Sequence, residues 1–216
     1  MLTIRISFEK RAEAAYISLL DLQRVFQRIL KRSGLPVYYT QGFNPHIYLS
    51  FASPLSLGQE SLCESCEIKT AEENPDLSAW KETLQPFMPR GIVIHSVAPA
   101  KEKSSEIGFA DYTITLPASA EEALVAYNAA ESAVISKKTK RGSKDVDLKT
   151  YIPRLDYKKE GNSLSFSVRM PCASGEGVNL NPSLLLGHLQ QTHAIPPWQC
   201  EVLRTQLYTK NGAIFC

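Results

Sequence analysis

The chain has 216 residues, of which 44% are hydrophobic and 21% are charged. This composition excludes an intrinsically disordered protein, and the length allows either one large core or two domains of roughly 100 residues. The formal net charge of +2 is too small to indicate a nucleic-acid-binding protein by itself, so any such surface must come from local clusters of charge. The sequence has no secretory signal and no run of about 18 apolar residues, which predicts a cytoplasmic protein with no membrane partner.

Residues 1–100 have the pattern of a β-α-β-β-α-β unit. Strands are predicted, from alternating or apolar runs, at 2–9, 46–51, 62–69 and 91–98. Helices are predicted at 19–33 and from the N-cap Asn74 and Pro75 onward. Ser18 and Asp21 form a capping box at the start of the first helix, and Gly34 follows its end. This succession is the ferredoxin-like order.

The same order of elements recurs in residues 109–216, after a polar linker at 100–108. Strands are predicted at 109–117, 133–138, 146–157, 163–170 and 199–209, with a turn at 158–162. Helices are predicted after a capping box of Ser119 with Glu122 and from Asn181 and Pro182. We therefore predict an α+β protein of two tandem ferredoxin-like (βαββαβ) units, the second made less regular by an extra strand.

The five cysteines are odd in number and have no regular spacing, which argues against a disulfide framework and is typical of a reducing compartment. Cys63 and Cys66 have a spacing that metal sites use. No second pair of Cys or His lies nearby in the sequence, and on a strand these two thiols point to opposite faces. We therefore predict no metal site and no cofactor.

A ferredoxin-like unit covers one face of its sheet with helices and leaves the other face available. In the strands 2–9 and 46–51 the available face would contain Arg5, Ser7, His46, Tyr48 and Ser50. Arginine, histidine and tyrosine together can bind phosphate and stack on a base. The alternative is that this face packs against the other unit or is simply solvated.

The first predicted helix has a basic arc opposite an apolar one. The cations of this arc are Arg24, Arg28, Lys31 and Arg32. An arc of this kind is either a solvated face or a contact surface for phosphate or an acidic partner.

The segment 137–144, KKTKRGSK, contains five cations and no anion. We predict a flexible basic loop between strands, because Gly142 and Ser143 favour mobile backbone. Its candidate phosphate contacts are Lys137, Lys138, Lys140 and Arg141. A solvated loop with no ligand is the alternative.

Four motifs of the first half are specific enough to compare with known families. They are 18-SLLDLQRVFQRILKRSGLP-36, 41-QGFNPH-46, 51-FASPLSLG-58 and Ser61 to Glu64. They resemble the radical-SAM-linked protein family, a bacterial domain of unknown function that is encoded beside, or fused behind, a radical SAM enzyme. The resemblance is specific over about the first 70 residues. It is thinner in the second half, at 138-KTKRGSKDVDLKTYI-152 and at Asn181-Pro182.

The chain departs from the family pattern at two positions. Leu19 replaces the family's histidine, and Lys149 lies where arginine is usual. The first departure argues that the histidine orients other groups and is not essential for catalysis. The resemblance implies partnership with a radical SAM enzyme and no particular reaction. The cluster motif CxxxCxxC of those enzymes is absent from this sequence.

Tandem ferredoxin-like units also resemble, at the level of the fold, the tRNA pseudouridine synthases. The catalytic aspartate of those enzymes lies in an Arg-Thr-Asp motif that this sequence lacks. Asp21 beside Arg24 and Asp147 beside Lys144 are the candidate substitutes. The alternative is that Asp21 stabilises a helix start and Asp147 anchors its loop.

The leading hypothesis is a non-catalytic RNA-binding or substrate-presenting partner of a radical SAM enzyme, with tRNA or rRNA bound in a cleft between two α+β domains. The phosphate contacts would be Arg24, Arg28, Lys137, Lys138, Lys140 and Arg141. The contacts to a base or another planar group would be Phe43, Asn44, His46 and Tyr48. One alternative is a pseudouridine-synthase-like RNA-modifying enzyme with a displaced catalytic aspartate. Another is a protein-interaction adaptor that binds no RNA.

Overall fold

The computed structural model describes residues 1–139, 142–173 and 177–215, with the side chains of 138, 139 and 192 left aside. The described residues form two compact units. Unit 1 is Met1–Ile107 together with Ile214 and Phe215, and unit 2 is Gly108–Ala213. Both units contain helices and a sheet, so the fold belongs to the α+β class. Among the described helices none is long and apolar enough to cross a membrane.

Unit 1 consists of two helices and one antiparallel sheet. Its elements are β1 (Leu2–Lys10), α1 (Leu19–Ser33), β2 (Leu49–Phe51), β3 (Glu60–Thr70), α2 (Leu77–Leu84) and β4 (Ile92–Pro99). β1 pairs with β4 on one side and with β3 on the other, and β2 pairs with β3. The order within this unit is therefore β4-β1-β3-β2. The register places Ile4 opposite Ile68 and Ile6 opposite Cys66.

The core of unit 1 lies between one face of this sheet and α1. The predicted alternation of β1 is confirmed, because Ile4, Ile6 and Phe8 are all fully buried. Phe8 contacts Phe26 of α1 with ring centroids 5.0 Å apart. Burial of one such side chain contributes roughly 1.5–3 kcal/mol to the free energy of unfolding. The apolar face of β1 and the apolar face of α1 therefore pack against each other in one layer.

α1 has the bounds that its capping residues predict. The Ser18 hydroxyl oxygen accepts a hydrogen bond from the Asp21 backbone N–H at 3.2 Å. Gly34 follows the helix with φ +70°, a left-handed conformation that glycine adopts without strain. Local chemistry alone fixes both ends of this helix.

Two predictions for unit 1 are wrong in their details. The N-cap of α2 is Asp76, whose carboxylate accepts from the Ala79 backbone N–H at 3.2 Å, and not Asn74. The strand predicted at 46–51 is shortened to β2, although Ile47 still forms an isolated bridge with Tyr39. The helix begins after the carboxylate that caps it, and the strand is short because residues 46–48 bond with 38–40 and not with β3.

Unit 2 repeats the order of elements seen in unit 1 and adds a hairpin. Its elements are β5 (Ile107–Pro117), α3 (Glu121–Ala129), β6 (Val134–Thr139), β7 (Gly142–Asp147), β8 (Tyr157–Glu160), β9 (Ser163–Pro171), α4 (Pro182–Thr192) and β10 (Glu201–Thr209). The sheet order within this unit is β10-β5-β9-β8, and β9 is antiparallel to both β5 and β8. Ala110, Tyr112 and Ile114 alternate as buried residues of β5. Asn181 caps α4 as predicted.

Three predictions for unit 2 are wrong. Ser119 forms no cap, because it lies within a 3-10 turn that leads directly into α3. The strand predicted at 146–157 is divided into β7, a short 3-10 turn and β8. The segment 137–144 is not simply a loop, because its described residues belong to β6 and β7, which form a separate two-stranded sheet. Lys140 and Arg141 lie outside the described residues.

Asp147 closes the base of the β6–β7 hairpin. Its Oδ1 accepts from the backbone N–H of Ala133 at 2.8 Å and of Lys149 at 3.0 Å. The Leu148 N–H donates in turn to the Ala133 carbonyl at 2.9 Å. These bonds end β7 and start the turn, which explains why a continuous strand does not form through this segment.

We expect Asp147→Ala to open this hairpin base in a pH-dependent manner. The bonds from the Ala133 and Lys149 backbone N–H groups lower the pKa of the Asp147 carboxyl. A carboxyl whose pKa is lower in the folded state than in the unfolded state stabilises the protein at pH values above its ordinary pKa of about 4. This contribution is lost as the pH falls through the pKa of the folded state. Hydrogen exchange at pH 7 should therefore be faster for the Ala133 and Lys149 amides of the variant.

Asp156→Ala is the matched control, because Asp156 forms an exposed ion pair with Arg154 at 2.7 Å, away from the hairpin base. It should leave the Ala133 and Lys149 amides unaffected. The difference in stability between the wild type and Asp147→Ala should shrink at pH 3. A difference that is the same at both pH values would contradict the role of the ionised carboxylate.

Candidate nucleic-acid interface

The basic arc of α1 faces solvent along its whole length. Its cations Arg24, Arg28, Lys31 and Arg32 are all exposed. Arg24 donates from Nη1 to Oδ1 of Asp21 at 2.9 Å. The guanidinium of Arg32 lies 5.1 Å from the centre of the Phe87 ring. Among the described residues no carboxylate forms an ion pair with Arg28 or Lys31.

Four other exposed arginines of the described ranges are paired with carboxylates. The pairs are Arg11 with Glu60, Arg90 with Glu13, Arg154 with Asp156 and Arg169 with Asp111. Arg28 differs from these arginines because no described carboxylate pairs with it. Lys31 has no described carboxylate partner either, so positive charge is left on this stretch of α1 and raises the local potential for anions.

The second feature of unit 1 is the loop 40–46, here called the hairpin tip. The Thr40 backbone N–H donates to the His46 carbonyl at 2.8 Å and closes the loop. Phe43 lies at its end with a relative exposure of 105%. A fully exposed phenylalanine on an ordered loop is unusual, because apolar area in water is unfavourable.

His46 is fixed at the base of the hairpin tip. Its Nδ1 lies 3.1 Å from the Asn44 carbonyl oxygen and 3.1 Å from Oγ1 of Thr40. The His46 backbone N–H donates to the same Thr40 oxygen at 3.2 Å. The ring is thus oriented by contacts at one nitrogen, and the residue as a whole is exposed.

Tyr48 is less available than the sequence suggests. The Nζ of Lys69 lies 4.3 Å from the centre of the Tyr48 ring, and the tyrosine is half-buried. A lysine over the ring face is a cation–π contact. One face of this ring is therefore already occupied within the protein.

Arg5 is not part of an accessible surface, so the expectation of a phosphate contact there is wrong. Its side chain is 2% exposed and its Nη2 donates to Oε1 of Glu67 at 2.6 Å. It also donates to the Glu102 carbonyl. Its guanidinium lies 4.1 Å from the centre of the Phe215 ring. A desolvated pair of this kind is costly to open, because removing one partner leaves a buried charge.

The two candidate acids have structural partners. Ser18 Oγ donates to Asp21 at 2.7 Å, and this bond, followed by the one from Arg24, lowers the pKa of the Asp21 carboxyl. The two backbone bonds at the hairpin base act in the same direction on Asp147. Both carboxylates are therefore ionised at neutral pH, with Asp21 bonded to Ser18 and Arg24 at the start of α1 and Asp147 closing a hairpin.

The β6–β7 hairpin places like charges opposite each other. Lys137 pairs with Lys144 across the two strands, an arrangement that is unfavourable without an anion nearby. Lys137 donates from Nζ to the Asn179 carbonyl, which offsets part of the repulsion between the two ammonium groups. Lys144 is exposed. Lys138 belongs to β6, but its side chain lies outside the described part of the chain.

Lys149 anchors the segment that follows β7. Its Nζ lies 4.6 Å from the centre of the Tyr127 ring and donates to the Pro153 carbonyl at 3.0 Å. Tyr127 is buried and its hydroxyl donates to the Ile152 carbonyl at 2.6 Å. Burial raises the pKa of this tyrosine above its ordinary value. These contacts stabilise the segment and present no free group to a ligand.

The sequence interpretation missed a small cavity in unit 1 where several family motifs meet. Leu19, Pro54, Leu55 and the buried Lys10 and Glu64 contribute to its lining. Its volume is about 10 Å³, close to the minimum for a single water molecule. The alternation of β1 and β3 could have indicated this cavity, because it places the charged residues Lys10 and Glu64 on the apolar side of the two strands. A cavity of this size accepts no substrate.

Cys63 and Cys66 do not form a metal centre. Cys66 is fully buried, and burial raises the pKa of its thiol, which opposes the thiolate form that a metal requires. Within the ranges that the structure covers, no three His, Cys, Asp or Glu side chains are arranged to bind a metal ion.

The chain matches a known protein family. The family described as an uncharacterized protein conserved in bacteria (DUF2344) matches residues 3–182. This range includes α1, the hairpin tip and the β6–β7 hairpin. A search of curated proteins gives no match. Because the family match extends over most of the sequence, the chain belongs to this bacterial family.

Proposed function

We propose that this chain is a non-catalytic RNA-binding protein that presents its RNA to a radical SAM enzyme. The observation that supports it is the combination, within unit 1, of uncompensated cations on α1 with a fully exposed phenylalanine at the hairpin tip. Cations without carboxylate partners attract phosphates, and binding releases the counterions of the nucleic acid. Exposed aromatic rings stack on bases.

The aromatic residue favours RNA over an acidic protein as the ligand of unit 1. An acidic partner would need only the cations of α1, which leaves Phe43 and the oriented His46 unexplained. RNA uses both features, because phosphates contact Arg28 and Lys31 while an unstacked base contacts the ring of Phe43. Lys137, Lys138, Lys140, Arg141 and Lys144 are proposed as further phosphate contacts of unit 2.

The strand order supports a ferredoxin-like assignment for each unit. β4-β1-β3-β2 with antiparallel neighbours and two connecting helices is the arrangement of a βαββαβ unit. The β10-β5-β9-β8 order of unit 2 follows the same plan around an inserted hairpin. The similarity to tRNA pseudouridine synthases stays a proposal at the level of fold, which by itself assigns no activity.

The partnership with a radical SAM enzyme rests on sequence resemblance. Two of the four motifs that resemble the radical-SAM-linked family, 18–36 and 41–46, lie at α1 and the hairpin tip, the two features that form the candidate interface. A partner enzyme would supply the redox chemistry. This chain would supply the surface that positions the RNA, in the cytoplasm.

We expect purified protein to bind structured RNA, such as total tRNA, with an affinity that falls steeply with salt. The double variant Arg28→Ala/Lys31→Ala should bind more weakly and reduce the slope of log K against log salt by about 1 to 2, because up to two phosphate contacts are lost. The measurement is a filter-binding or anisotropy titration at several salt concentrations.

Arg90→Ala is the control, because Arg90 is also exposed in unit 1 but pairs with Glu13 at 3.4 Å. It removes one positive charge from a neutralised site and should leave the slope unchanged. A loss in Arg90→Ala about half as large as that in the double variant would mean that only net charge matters, since the control removes one positive charge and the double variant two. Binding that does not depend on salt would contradict the phosphate contacts.

We expect affinity capture of the tagged chain from its own cells to recover a radical SAM enzyme, with RNA present unless nuclease is added. Retention of the enzyme after nuclease would support a direct partnership. Recovery of the enzyme with no RNA in either sample would favour a protein adaptor. Recovery of RNA without any iron–sulfur enzyme would contradict the partnership and leave the RNA proposal standing.

A further inference from the structure

We propose that the hairpin tip binds one unpaired nucleotide, with its base stacked on Phe43 and a hydrogen-bond donor of the nucleotide bound to Nε2 of His46. The ligand class of this site is therefore single-stranded or looped RNA and not duplex RNA. This inference rests on the proposed RNA-binding function and defines its substrate more narrowly.

The backbone of the hairpin is ordered on both sides of the tip. Tyr48 N–H donates to the Tyr38 carbonyl at 3.2 Å, and Tyr38 N–H donates to the Lys69 carbonyl of β3 at 2.7 Å. Ile47, next to the tip, is 4% exposed and belongs to the core of unit 1. A loop with fixed ends loses little conformational entropy when a ligand binds.

Two backbone features lie on either side of Phe43 in the hairpin tip. Gly42 has φ +132°, a conformation that side chains rarely adopt, and Pro45 restricts Asn44 to extended backbone. The ring of Phe43 has a relative exposure of 105%. Its faces are therefore free to stack on a base.

The contacts of His46 favour one tautomer of its ring. The Asn44 carbonyl oxygen can only accept a hydrogen bond, so its distance of 3.1 Å from Nδ1 favours a proton on that nitrogen. In the neutral ring Nε2 is then an acceptor, and within the described part of the chain no residue donates to it. The matching donor on a nucleotide is a base amino group or the ribose 2′-hydroxyl.

An aromatic side chain cannot stack on a base that is already paired and stacked. In A-form duplex RNA both faces of each base are covered by neighbouring bases, and the deep groove excludes side chains. Loops, bulges and single strands expose base faces and edges together. A site that combines the exposed ring of Phe43 with the acceptor of His46 therefore favours nucleotides that are not base-paired.

The test compares single-stranded RNA oligonucleotides of about 8 nucleotides, the same sequences as duplexes, and single-stranded DNA. Wild-type protein should bind the single strands more tightly than the duplexes. Phe43→Ala should weaken single-strand binding by about 5- to 150-fold, the range of one lost stacking contact, and leave duplex binding within about twofold. Trp198→Ala is the matched control, since Trp198 is 82% exposed in unit 2, and it should change neither.

Two substitutions of His46 test the acceptor. Glutamine can place an oxygen near the position of Nε2 and asparagine only near Nδ1, so His46→Gln should retain most of the single-strand affinity that His46→Asn loses. Loss of the difference between RNA and DNA in His46→Asn identifies the 2′-hydroxyl as donor, whereas a changed preference between oligo-A and oligo-U identifies a base amino group. Equal affinities of both variants for every oligonucleotide would overturn the role of Nε2.

The outcomes separate this inference from the proposed function. RNA binding that is equal for duplexes and single strands and unaffected by Phe43→Ala overturns the nucleotide site while RNA binding itself stands. Absence of binding to any RNA overturns the proposed function together with this site. Because Phe43 is fully exposed, its substitution does not disturb the fold, and circular dichroism checks this directly.

Discussion

Packing of α1 against the face of β1 that contains Ile4, Ile6 and Phe8 is the interaction on which the candidate interface depends. A helix that buries one arc must expose the opposite arc. The apolar residues of α1 fix its rotation, since Phe26 is fully buried and contacts Phe8. The position of Arg28 and Lys31 in solvent therefore follows from hydrophobic burial on the other side of the same helix.

The hairpin tip depends on the same core. Phe51 of β2, at the end of the hairpin, contacts the ring of Phe26 edge-on with centroids 5.5 Å apart. Ile47 is buried in the same apolar cluster. The cations of α1 and the aromatic tip are thus attached to one core within unit 1, although they lie apart in the sequence. A defect in this core would affect both features together.

Local sequence signals were sufficient where the structure is itself local. The ends of α1 follow from Ser18 and Gly34, and the alternation of β1 identifies its buried face. The strand at 146–157 was predicted as continuous because nothing in its pattern indicates that the Asp147 side chain bonds back to Ala133. That bond depends on which residues the hairpin brings together, and a linear pattern does not contain this information.

For the site residues too, the sequence predicted which residues are candidates but not how they are buried or oriented. The alternation of β1 predicts Arg5 as an exposed cation on the polar side of the strand. In the structure Glu67 and Phe215 enclose it. Phe215 lies more than two hundred positions from Arg5 in the sequence. Phe43 and His46 were identified from the 41–46 motif and the alternation of the strand that follows it, whereas the orientation of His46 requires the contact with Asn44. Burial and ring orientation are properties of the folded chain, so the sequence could supply candidates for the site and not its geometry.

The central claim is that RNA contacts unit 1 at the hairpin tip, and ultraviolet crosslinking of bound RNA followed by peptide mass spectrometry tests it most directly. No Lys or Arg occurs between Arg32 and Lys69, so trypsin releases the whole tip on one peptide. We expect the crosslinked nucleotide on this peptide, at or beside Phe43, and its loss in Phe43→Ala. Crosslinks confined to peptides of unit 2, or unchanged in the variant, would contradict the account.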